Sequence, residues 1–175
     1  AIKNQFVFAA MNTLDGPTAD RRVRQALQYA VDQQRIVDVV YGGSAAPLAL
    51  YVPPNYPGFD MGLWPYPTTP DVDKAKALLE EAGYGDGFEI PLLVNESVSD
   101  HADVAVLIKD ALAQVGVDVL IDSRPAAAYT DQGSSGDIGM VLHQSYAFLS
   151  ETPYHYQLYV SGPTGFLSFG GFTYP

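Results

Sequence analysis

The stretch that decides the fold is Ser135–Tyr154, SGDIGMVLHQSYAFLSETPY. Gly136 and Asp137 are turn residues, and Ile138 to Leu142 form a short apolar run. Such a run reads as a strand buried on both faces. It stops at His143, Gln144, Ser145 and Tyr146, and an aromatic, hydrogen-bonding segment carries the chain on to Pro153. A buried strand that empties into a loop of this kind is one way to present a ligand at the carboxyl end of a sheet. The plainer alternative is an ordinary strand followed by a surface loop.

Working back from that stretch, the chain alternates helix and strand. Gln5 to Ala10 reads as a first strand, and Asn12 to Pro17 as a turn. Asp20 caps a long helix running to about Tyr41, with Val23, Leu27, Ala30, Val31, Val37 and Val40 at helical spacing and Gly42-Gly43 as its stop. Arg21, Arg22 and Arg24 sit in its first turn, the unfavourable end of the helix dipole, so at least one is expected to pair with a carboxylate elsewhere. Thr69-Pro70-Asp71 starts a second helix, with Ala75, Leu78, Leu79 and Ala82 as its stripe and Gly83 as its stop. Phe88 to Val94 is a strand, and Pro91 places it at a sheet edge or makes it start late. Ser97 or Ser99 caps a third helix, with Val104, Leu107, Ile108, Ala111, Leu112 and Val115 on one face. Gly116 ends it, Val117 to Ile121 is a strand, and Pro125 to Gln132 holds a short helix with Tyr129 on it. The pattern predicts an α/β or α+β domain with a small mixed sheet.

Residues 44–69 form a long proline- and aromatic-rich loop, within which Trp64 is expected to anchor the loop to the body or to line a pocket. The 175 residues make a single domain, and 47% hydrophobic residues suffice for its core. No apolar run reaches the ~18 residues of a membrane span. The opening AIKNQFVFAA is too short and too weakly basic for a signal peptide, which suggests a cytosolic protein or a mature or excised piece of an exported one. With no cysteine there is no disulfide, thiolate metal site or thiol nucleophile. A net charge of −11 with only 9 Lys plus Arg argues against nucleic acid and against an anionic membrane surface.

Catalytic signatures are missing: there is no GxGxxG, P-loop, HExxH or GxSxG. His143 and His155 with Glu151 could approach one borderline metal ion, but the ligand set is incomplete, and no metal or other cofactor is expected. Asp137 and Glu151 could be cast as a glycosidase pair, although the strand between them is expected to hold them too far apart.

Several segments resemble the extracytoplasmic solute-binding proteins that feed peptide, nickel and opine ABC importers. They are RVRQALQYAVDQQRIVDVVYGG (Arg22–Gly43), DVDKAKALLEEAGYGDGFEIPLLV (Asp71–Val94), VLIKDALAQVGVDVLI (Val106–Ile121), Ala127-Ala128-Tyr129 and Gly136-Asp137-Ile138, in the family's order. The resemblance implies one lobe of a type II periplasmic-binding-protein-like fold, the second of two, with the first lobe and the return segment missing. It also implies a ligand cleft between lobes that closes about a hinge. The loop after Leu142 would face that cleft. GDIGMVLHQSYAF is most similar to the nickel-binding branch, whose strand ends in His-x-x-Trp where this chain has His143-Gln144-Ser145-Tyr146. The peptide branch has an aspartate where Tyr146 stands, and the nickel branch has Tyr-Asp-Pro-His where Ser150-Glu151-Thr152-Pro153-Tyr154-His155 stands.

The reading is therefore a ligand-binding lobe without catalysis, for a peptide, nickel or a nickel–metallophore complex. His143, Gln144, Tyr146, Ser150 and Tyr129 are the expected ligand contacts, and Glu151 is a site for a cation. Expected partners are the ABC importer permease subunits and the missing first lobe, in the periplasm or lipid-anchored at the cell surface. The alternatives are a small glycoside-hydrolase-like enzyme using Asp137 and Glu151, or an interaction module using the proline–aromatic loop and an exposed Trp64.

Overall fold

Four strands form one mixed sheet in the order β1-β4-β2-β3. The computed structural model describes residues 5–47, 60, 62, 66–135 and 138–146. Within it the strands are β1 (Gln5–Met11), β2 (Phe88–Asn95), β3 (Val117–Arg124) and β4 (Met140–Tyr146). The helices are α1 (Arg21–Ala30), α2 (Gln33–Tyr41), α3 (Val72–Glu81), α4 (His101–Ala113) and α5 (Ala126–Ser135), and a 3₁₀ turn at Pro17–Ala19 precedes α1. β2 runs parallel to both β3 and β4, and β1 runs antiparallel to β4. The mixed α/β sheet that the alternation predicts is present.

Side-chain alternation gives the sheet two buried faces. One carries Ile90, Leu92, Val94, Val117, Val119, Met140 and Leu142 and packs against α1, α3 and α4 in the main core. The other carries Leu93 and Val141, which pack with Ile138 and with Tyr129 of α5 in a second, smaller cluster. The chain leaves β2 through α4 on the first face to reach β3, then returns through α5 on the second face to reach β4. β2 therefore has β3 on one side and β4 on the other, reached by helices on opposite faces.

Several local expectations are corrected. The long helix from Asp20 is two helices, because Val31 and Asp32 are extended and the Asp32 side chain accepts from Arg35 N at 2.8 Å as a fresh cap. Of the three arginines, Arg22 pairs with the cap itself, 2.6 Å from Asp20, and donates to the Glu81 carbonyl oxygen at 2.7 Å. Arg24 donates to the carbonyls of Thr18 and Ala19. The cap of α3 is Asp71 rather than Thr69, accepting from Lys74 N at 3.0 Å. Asp71→Ala should lower the stability by about 1 kcal/mol in a urea titration, since the Lys74 amide then loses its partner.

Neither Ser97 nor Ser99 caps α4. Asp100 precedes it and makes no side-chain cap, because its carboxylate accepts from the Tyr41 hydroxyl at 2.8 Å. β2 is not an edge strand despite Pro91. The β2–β4 pairs are Leu92↔Met140 and Leu93↔Val141, so Pro91 lies where β4 has not yet begun. It stands beside Gly139, whose missing Cβ would otherwise overlap Ile90. Finally, β4 does not stop at Leu142. β1 supplies an antiparallel partner as far as Gln5↔Tyr146, which keeps the polar residues His143 to Tyr146 in the ladder.

Candidate functional site

In an open α/β sheet, a crevice forms outside the carboxyl ends of two parallel strands whose connections leave to opposite faces. β2 and β4 are such a pair. Their mutual ladder ends at Leu93↔Val141, while β2 continues to Asn95 and β4 to Tyr146. Continuing that register brings Asn95 level with His143. The amino end of α4 follows the same end of β2.

His143 is half-buried, and its ring is held on two sides. Phe8, its cross-strand partner on β1, meets it edge-on with centroids 5.4 Å apart. The Tyr129 hydroxyl lies 3.2 Å from His143 Nδ1 and donates to the Leu142 carbonyl at 3.0 Å. Tyr129 is itself buried, and loss of solvation pushes its phenol up to about 12. Burial, with a smaller effect from His101, brings the His143 imidazole down to about 4. Both rings are neutral at pH 7.

His101, the first residue of α4, is 1% exposed, and neither ring nitrogen has a hydrogen-bond partner. Burial lowers its pKa, and neighbouring Asp100 opposes that shift. The Asp100 carboxylate is tied to Tyr41, whose phenol is pushed up by burial and by that bond. No group of three His, Cys, Asp or Glu side chains suited to a metal occurs among the described residues. The described part of the crevice thus offers neutral hydrogen-bonding groups and aromatic surface, a set suited to binding.

The family model for bacterial extracellular solute-binding proteins, family 5 (middle region), matches residues 1–166. The chain belongs to that family. It is 35% identical over 119 residues to a glutathione-binding protein, GsiB, of Salmonella typhimurium, covering 68% of this chain and 23% of that protein. It is 33% identical over 135 residues to heme-binding protein A of Haemophilus influenzae, covering 75% of this chain and 24% of that one. Among solved structures, the periplasmic binding protein DppA of Helicobacter pylori, in complex with the peptide STSA, superposes with a TM-score of 0.79 at 27% identity, over 87% of this chain and 29% of that chain. The chain therefore spans about a quarter of the curated relatives it matches. Members of the family are substrate-binding transport proteins, which gives no support to the hydrolase alternative.

Of the expected contacts, His143, Gln144 and Tyr129 come together at the carboxyl end of β4, with Gln144 half-buried beside His143. Tyr146 is the last residue of that strand, opposite Gln5. Ser150, Glu151, Asp137, His155 and Trp64 lie outside the described residues, as does most of the 44–69 loop. Where that loop re-enters the described structure, Tyr66 packs edge-on against Tyr29, with centroids 5.1 Å apart. Sequence reasoning passed over His101 and the Tyr41–Asp100 bond. Its partners are 59 positions apart, and no local pattern marks that pairing.

Proposed function

We propose that this chain forms one lobe of the solute-binding protein of an ABC importer, with a peptide or peptide-like ligand seated across the crevice between β2 and β4. The observation that carries this is the switch point itself. Two parallel strands diverge past Leu93↔Val141 and leave His143 and Gln144 on the open end. The glutathione-binding and peptide-bound relatives agree with it in ligand chemistry. In this reading His143, Gln144 and Tyr146 contact ligand, with Ser150 and Glu151 following them in the chain and Glu151 available to a cationic group. A second lobe of the same protein closes over the ligand, and the permease subunits receive it outside the cytoplasm.

Calorimetric titration of the chain with alanine tripeptide, glutathione, haemin and a nickel–histidine complex tests the reading. Binding of the peptide or glutathione is expected, weakly, because a single lobe leaves much of the ligand in water. Absence of binding to all four, or turnover of any of them, would contradict it.

A further inference from the structure

We propose that Tyr129 is a positioning residue that locks His143 in its Nδ1–H tautomer, so that this wall of the crevice accepts a hydrogen bond from the ligand and selects donor groups. The inference rests on reading the crevice as the ligand site. Its basis is the geometry of three atoms. The Tyr129 oxygen is 3.0 Å from the Leu142 carbonyl oxygen and 3.2 Å from His143 Nδ1. A carbonyl oxygen only accepts, and two oxygens at that distance repel unless a proton lies between them. The single phenolic proton therefore points at Leu142. The phenolic oxygen then has only lone pairs to offer Nδ1, and a hydrogen bond between them requires that Nδ1 carry the proton.

In a neutral imidazole the other nitrogen, Nε2, then bears the lone pair, whatever else the ring meets. Burial keeps the ring neutral well below pH 7, with Phe8, Tyr129 and the uncharged His101 as its recorded neighbours. The arrangement is also stiff. Tyr129 is 6% exposed among Leu93, Ile138 and Val141, so the phenol has no room to swing its proton away from Leu142 without leaving a buried carbonyl unpaired. A lone pair at Nε2 suits an amide N–H, an ammonium or a hydroxyl, and repels a carboxylate. The peptide group presented to this part of β4 is then a donor.

Long-range proton–nitrogen correlation spectra of the ligand-free chain at pH 7 test the lock directly. Wild type should show a pyrrole-type Nδ1 and a pyridine-type Nε2 at His143, and Tyr129→Phe should move the ring toward the Nε2–H form that free histidine prefers. An Nε2–H ring in wild type, or the same tautomer in both proteins, would overturn the proposal. Titration with alanine tripeptide and its ester isostere, which lacks the internal amide donor, supplies the functional readout. Wild type should prefer the amide by about tenfold and Tyr129→Phe by much less. Equal affinity of wild type for the two would overturn the donor-selecting role even with the tautomer as expected. A correct tautomer with no response of His143 to either compound would count against the ligand reading of the crevice and against that role together.

Discussion

Gly87→Ala is expected to destabilise the chain by about 3–5 kcal/mol, a large share of what holds a domain of this size together. Gly87 has φ +82° and Gly116 has φ +83°. They lie side by side at the amino ends of β2 and β3, where Phe88 N donates to the Gly116 carbonyl at 3.3 Å. A Cβ on Gly87 would overlap that carbonyl oxygen, and the left-handed backbone adds its own strain. Both costs fall on backbone that cannot rotate out of the way. Gly116→Ala is the control. Its Cβ would meet Gly87 Cα at an ordinary 3.5 Å, so only the strain of positive φ applies, about 1–2 kcal/mol. Urea midpoints for the two variants check the order. Equal losses, or a loss below about 1 kcal/mol for Gly87→Ala, would show that the two turns do not meet as described.

Acidification from pH 7 to 4 is expected to remove on the order of 3 kcal/mol through His143 alone, with His101 adding in the same direction. In the unfolded chain both titrate near 6.5. In the fold burial lowers both, His143 to about 4. Between those values the unfolded state binds more protons than the folded state, so stability falls as pH drops through 6.5 toward 4. Asp20 acts in a separate window. The Arg22 hydrogen bond holds its carboxyl at about 2 against a usual 3.8, so its contribution is present above 3.8 and disappears only as pH approaches 2. Relief of self-repulsion in a chain of net charge −11 opposes the histidine effect. The histidine part is therefore read as the difference between wild type and His143→Gln, whose urea midpoint should vary less over pH 7 to 4.5. Identical pH profiles for the two proteins would contradict the burial of this ring in the native state.

Much of the fold is legible in the residues because local pattern and tertiary role agree. The stripe Val104, Ile108, Ala111, Leu112 of α4, the glycine stops at Gly83 and Gly116, and the apolar run ending at Leu142 all coincide with observed elements. The errors occur where a distant partner decides. Nothing near Val31 shows that a second helix begins at Asp32, because Ala30 and Val37 suit one continuous stripe equally well. Pro91 sits inside the sheet only because β4 starts one residue further along, and His143 stays in a strand only because β1 arrives from the far end of the chain. The candidate site follows the same rule. His143, Gln144 and Tyr129 are visible as polar residues at element ends, whereas the bond joining Tyr129 to His143 and the burial of His101 depend on packing across the sheet.

The central claim is that ligand meets this lobe at the open carboxyl end of β2 and β4. Backbone amide shifts recorded while the chain is titrated with alanine tripeptide test it most directly. The account predicts that the largest changes fall on Val94 to Ser97, His101, Tyr129 and Leu142 to Gln144, with the outer surfaces of α2 and α3 unaffected. Changes concentrated on α2 and α3, with those strand ends silent at saturation, would contradict it.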